Sequence, residues 1–125
     1  HTHSSHCVAR SLGLDAPELL PPLTPYFVMK VGHVPLLPYY RPGDAQAAQQ
    51  AVQLIAHYGA RGTPIRALML PRLGPVVWHD DPWSAMALLE ELEETARLSL
   101  LAPATVAPLR ATEMEVLRTQ FGARW

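Results

Sequence analysis

Ala67-Leu68-Met69-Leu70-Pro71-Arg72-Leu73-Gly74-Pro75-Val76-Val77-Trp78 is the stretch whose reading decides the fold. Two apolar runs, Ala67–Leu70 and 74–78, flank Pro71-Arg72-Leu73. Runs this short, punctuated by Pro and Gly, predict two strands meeting at a tight connection, or one strand broken by a bulge. Downstream the apolar spacing becomes helical. Asp81 can cap a helix and Pro82 fits its first turn. Trp83 through Leu101 then carries Ala85, Leu88, Leu89, Leu92, Ala96 and Leu100 on an apolar stripe, with Glu90, Glu91, Glu93 and Glu94 as a solvated face. Pro103 and Pro108 end it. A last helix is expected from Thr112, with Glu115 completing a capping box, Met114, Leu117 and Phe121 turned inward, and Gly122 as its stop.

Upstream of the decisive stretch, Asp44 can cap a helix from Ala45 to Tyr58 whose apolar face is Ala48, Ala51, Val52 and Ile55, stopped by Gly59. Further back, prolines crowd the segment from Pro17 to Pro42 and bar helix interior, which predicts strands and turns. Tyr26 to Val31 is rich in strand formers and ends at Gly32, so it reads as a short strand. Val34-Pro35-Leu36-Leu37-Pro38 reads as extended at a sheet edge, and Pro42-Gly43 as a turn. The expected architecture is α/β: strands at Tyr26 to Val31, Ala67 to Leu70 and Gly74 to Trp78 pair in a mainly antiparallel sheet covered by helices.

Composition bounds the function. With 49% hydrophobic and 17% charged residues in 125, the chain suits one globular domain with a single core. Its formal net charge of -1 and the lack of a basic stripe argue against nucleic acid as a partner. Apolar stretches are broken well short of a membrane span and no signal peptide is visible, so the cytoplasm is expected. Cys7 is the lone cysteine, which rules out an internal disulfide and suits a reducing compartment.

Chemistry concentrates at His1-Thr2-His3. On an extended strand residues i and i+2 share a face, so the two imidazoles could grip one divalent metal ion; two surface histidines remain the alternative. Nothing precedes His1, which predicts a piece of a longer protein. Tyr39, Tyr40 and Arg41 beside a turn suit recognition of an anionic substrate, or packing at a subunit contact. His6 reads as a helix-start residue hydrogen-bonded locally, and His33 and His57 as turn and helix-end residues. Cys7 reads as a buried small side chain, and Trp78 and Trp83 as core or interface anchors.

With these elements placed, the chain resembles the class II aldolase/adducin family over nearly all its length. His1-Thr2-His3-Ser4 is similar to that family's strand-borne metal motif, with Ser5-His6-Cys7-Val8-Ala9 leading into the next helix. Ala67 to Leu70 and Leu73 to Val77 match its apolar strand, His-Gly turn and following strand, and Glu90 to Leu98 its long helix. Thr24 to Gly32 together with Pro38 to Gly43 resembles the branch that decarboxylates four-carbon 3-oxo sugar-acid phosphates.

The resemblance implies a three-layer α/β sandwich, of which residues 1–125 form the C-terminal part, and a zinc-dependent carbon–carbon lyase. Such an enzyme would convert a 3-oxo-tetronate 4-phosphate to a triose phosphate and carbon dioxide in the cytoplasm, as a homotetramer with clefts between subunits. His1 and His3 would be two of three histidine ligands to zinc or another divalent metal. The third ligand precedes the Gly of the His-Gly turn, where this chain has Leu73; His79 is the one nearby alternative. The acid/base carboxylate lies upstream of the metal motif in that family. Weak zinc binding, self-association and no decarboxylase activity are therefore expected of residues 1–125 by themselves. An aldolase for a sugar phosphate, or an adducin-like assembly domain that kept the fold and lost the chemistry, are the competing expectations.

Overall fold

β1 (Ala67–Leu70) and β2 (Gly74–Val77) form an antiparallel hairpin in register Ala67↔Val77 through Leu70↔Gly74, so the decisive stretch folds as two strands rather than one. This computed structural model describes residues 1–125. Around the hairpin lie α1 (Ser5–Ser11), α2 (Ala45–Ala60), α3 (Pro82–Leu101) and α4 (Ala111–Phe121).

Extended segments widen the hairpin on both sides. Met69 donates its N–H to the Pro35 carbonyl at 2.8 Å and Leu37 donates to Met69 at 3.0 Å, so the 34–37 segment lies alongside β1. Its far side takes Leu36 N–H to the Pro17 carbonyl and Leu19 N–H to the Val34 carbonyl, both 2.9 Å. Beyond β2, Thr2 donates to the Pro75 carbonyl at 3.2 Å. Pro35 and Pro75 lack an N–H and contribute carbonyls alone, which is how proline is tolerated beside a short ladder. Val34–Leu37 is extended as expected, but it is bonded on both sides and so lies between the Pro17–Leu19 segment and β1 rather than at a sheet edge.

The strand expected at Tyr26 to Val31 is not there. Phe27–Val31 is a π-helical turn, entered from Pro25 and closed by Gly32 N–H to the Phe27 carbonyl at 2.9 Å. Thr24 caps this turn, its Oγ1 accepting from the Phe27 N–H at 3.2 Å. A Thr cap followed by Pro in the first turn is a helix-start signal, and Phe27, Val28 and Val31 are buried at helical rather than alternating spacing. The local cap and two-sided burial outweigh β-propensity here. The sheet accordingly has two strands, with the proline-rich segments as isolated bridges.

α2 begins at Asp44 as expected, with Asp44 Oδ1 accepting from the Gln46 N–H at 3.0 Å. Its packed face is instead Ala47, Gln50, Ala51, Leu54 and Tyr58. The expected face is displaced outward: Val52 is 67% and Ile55 44% exposed. Tyr58 decides the rotation, because its hydroxyl donates to Glu18 Oε1 at 2.9 Å, where His33 Nδ1 also bonds at 2.7 Å, and its ring lies 5.1 Å from His33. Burial and that carboxylate together push the Tyr58 hydroxyl up to about 12.

α3 runs from its Asp81 cap, which accepts the Ser84 N–H at 2.9 Å, and buries Leu88, Leu89, Leu92, Thr95 and Ala96. Leu100 and Trp83 at its two ends stay exposed. α4 starts two residues earlier than the Thr112–Glu115 pair suggested: Glu113 Oε2 accepts the Arg110 N–H at 2.7 Å. Met114 and Leu117 are buried, whereas Phe121 is 65% exposed. The main core gathers Cys7, Leu19, Leu20, Phe27, Val31, Val34, Ala67, Met69, Leu88, Leu92 and Ala96. Trp125 packs against it and against the smaller cluster of Val28, Met114, Leu117 and Ala123.

Candidate active site

The site is built on the free edge of β2. Thr2 runs along that edge, and the rings of His1 and His3 emerge with centroids 5.3 Å apart in an edge-to-face arrangement. The close approach depends on Gly74. Its φ of +141° suits glycine alone, and a Cβ there would stand 1.9 Å from the Thr2 carbonyl oxygen. Leu73, the residue before it, lines a cavity of about 450 Å³ together with His3, Ser5, Val8, Ala9, Leu12 and Arg72. The structure thus brings His3 and Leu73 to one cavity, with His1 against His3.

α1 is fixed behind the histidines by α3. Glu93 Oε1 accepts the His6 N–H at 2.9 Å and Glu93 Oε2 the Cys7 N–H at 3.0 Å, and His6 Nδ1 lies 2.8 Å from Glu93 Oε1. Two of the unpaired donors at the α1 start are satisfied by a side chain 86 and 87 residues away in sequence. Glu93 is therefore not part of a solvated face, and His6 is not hydrogen-bonded locally. Burial pushes the Glu93 carboxyl up, but the His6 and Cys7 donors outweigh it and hold the group below its ordinary value. Burial and the neighbouring Glu93 push the Cys7 thiol far up, so Cys7 is a buried, inert side chain.

The other candidates separate. Tyr40 donates its hydroxyl to Gln50 Oε1 at 2.9 Å, and exposed Arg41 lies 3.7 Å from Asp44 Oδ2, so both are engaged with the start of α2. Tyr39 is exposed and borders a second cavity of about 450 Å³ whose lining includes Asp15 and Arg72. His33 stacks on Trp125 with centroids 4.3 Å apart, and His57 faces Arg61. His79 turns to the other end of the hairpin, where Nε2 meets the Arg66 guanidinium and Nδ1 accepts the Asp80 N–H at 2.8 Å. Trp83 is 84% exposed and Trp78 partly buried.

These residues do not fit a three-ligand catalytic zinc. His1 and His3 offer two imidazoles, Leu73 has no lone pair, and no cluster of three or more His, Cys, Asp or Glu side chains is placed to hold a metal ion. Arg72 was not among the residues singled out from the sequence. Its φ of +65°, the only positive value outside glycine, is its signal, and that value is invisible before folding.

The chain matches the family described as class II aldolase and adducin N-terminal domain over residues 1–100. It is 47% identical over its whole length to the 3-oxo-tetronate 4-phosphate decarboxylase of Cupriavidus necator, covering 58% of that protein. It is 41% identical to the protein of the same name from Escherichia coli K12, over 95% of this chain and 54% of that protein. The crystal structure of YgbL from Escherichia coli superposes with a TM-score of 0.79 at 40% identity, over 95% of this chain and 56% of that one. YgbL from Klebsiella pneumoniae gives 0.72 at 41% identity, over 93% and 54%. The fold is that of a class II aldolase domain, and the chain belongs to the class II aldolase and adducin family. It spans a little over half the length of the curated relatives it matches.

Proposed function

We propose that the protein containing this chain is a carbon–carbon lyase acting on a 3-oxo-tetronate 4-phosphate. The observation that carries the reading is 47% identity across the whole chain to a decarboxylase of that name. The reaction is chemically undemanding in one respect: the carboxylate sits β to a ketone. The bond between C1 and C2 breaks, carbon dioxide leaves, and the electron pair enters an enolate between C2 and C3. A proton delivered to C2 then gives the triose phosphate. An enolate forms readily when a cation or hydrogen-bond donor meets its oxygen. On these residues the groups beside the cavity that offer such contacts are His3, Ser5 and Arg72.

A second reading rests on Leu73: a family member that keeps the fold for assembly without the metal chemistry. Exposed Val52, Trp83, Leu101 and Phe121 supply apolar surface for self-association. A homotetramer in the cytoplasm belongs to the first reading; for the membrane, no helix is long and apolar enough to cross one. Carbon dioxide release from a 3-oxo-tetronate 4-phosphate by the full-length protein, with and without added zinc, separates the two. Turnover above background supports the lyase. No turnover, alongside a well-defined oligomer, supports the assembly domain.

A further inference from the structure

The turn joining β1 to β2 holds Arg72 in a conformation that side chains other than glycine, asparagine and aspartate seldom take, at φ +65°. Its place is fixed by α1. The Arg72 N–H donates to Ser11 Oγ at 3.1 Å, and the buried Ser11 hydroxyl donates in turn to the Val8 carbonyl at 2.7 Å. A non-glycine residue held in this region by its surroundings is a feature that clusters at binding and catalytic sites.

The side chain itself is exposed and takes part in none of the molecule's ion pairs. It borders two cavities at once: the one lined by His3, Ser5 and Leu73, and the one bordered by Tyr39 and Asp15. The first contains no acidic residue, and its remaining walls, Val8, Ala9 and Leu12, are apolar or small. A guanidinium with no acidic partner beside such walls presents a planar fork of donors to an oxyanion.

We propose that the cavity between α1 and the hairpin turn is an anion site in which Arg72 binds the phosphate or carboxylate group of a small ligand, beside His3 and Ser5. The proposal takes the His1–His3 edge as the active site and so rests on the lyase reading for its location, though not for its chemistry.

The test is binding to the full-length protein of three probes: inorganic phosphate, malonate as a simple dicarboxylate, and a four-carbon hydroxy-acid 4-phosphate lacking the 3-oxo group. Arg72→Gly should weaken the bound class about tenfold, the scale of one charge-assisted contact, and at the same time raise the melting temperature by relieving the turn. Arg72→Lys should keep part of the affinity, since it retains charge without the fork. Whether phosphate or malonate responds identifies which oxyanion Arg72 takes. Unchanged affinity in Arg72→Gly, no anion binding by the unmodified protein, or a fall in melting temperature alongside the binding loss overturns the proposal, the last because it marks a structural role. Phosphate held through Arg72 by a protein that releases no carbon dioxide keeps this site and ends the lyase reading. Turnover with an Arg72→Gly variant of unchanged affinity does the reverse.

Discussion

Gly74 lies so close to Thr2 that a Cβ would meet the Thr2 carbonyl oxygen at 1.9 Å. That contact sets the position of both histidines, because Thr2 stands between them and reaches the Pro75 carbonyl from the same edge. Nothing flexible relieves the clash, since the opposing atom is backbone. Gly74→Ala should push the His1–His3 segment off β2. The left-handed conformation alone costs about 1–2 kcal/mol for a residue with a Cβ. Hydrogen exchange should show the Thr2 amide losing protection, and a variant with that amide as protected as before would refute the edge arrangement.

Leu73→His tests the metal reading. Two imidazoles should hold zinc weakly, and a third donor on the wall shared with His3 should complete the set that catalytic zinc normally uses. Calorimetric titration is expected to show no tight site in the unmodified chain and at least tenfold tighter binding in the variant, a gain of about 1.4 kcal/mol. Tight, stoichiometric zinc in the unmodified chain would mean that another donor joins His1 and His3.

Glu93 couples acid stability to the placement of α1. Its carboxyl is held below the ordinary 4.5, so the stabilisation it supplies is fully present above that pH and is lost as the pH falls through the lowered value. Glu93→Gln should flatten the stability profile in that acid window and leave a protein less stable near neutrality. A cost of about 1–2 kcal/mol is expected for losing a charged cap to two backbone donors. Denaturant titrations between pH 3 and pH 7 (roughly the range in which carboxylates titrate) read both effects, and an unchanged profile in the variant would discount the cap.

Phe27 carries the π-helical turn into the core, fully buried and with its ring 5.7 Å from Trp125. Phe27→Ala should destabilise by about 3–5 kcal/mol, the usual range for emptying a buried aromatic site. Phe27→Leu should cost much less, because it leaves a smaller void. If both variants unfold at the midpoint of the unmodified chain, Phe27 is not in the core.

The sequence by itself determined the caps at Asp44 and Asp81, the extent of α3 and the extended character of the two apolar runs around Pro71-Arg72-Leu73, because each is written in neighbouring residues. That the runs pair as a hairpin rather than form one bulged strand was settled by the fold. The sequence also offered His1 and His3 as a pair that an extended segment would put on one side, while Leu73 stood out only through the family resemblance. Tertiary structure decided the rest. Tyr26 to Val31 has strand composition, yet burial between two clusters selects a helical turn. The orientation of α2 follows from Tyr58 reaching Glu18, a pairing 40 residues apart. Glu93 looked like one of four exposed carboxylates until α1 presented its N–H groups to it. Nothing in the sequence distinguishes Arg72, because its backbone dihedral and its unpartnered guanidinium exist only after β1, β2 and α1 meet. Local propensity acts over a few residues, whereas burial and hydrogen-bond satisfaction are settled by elements far apart in the chain.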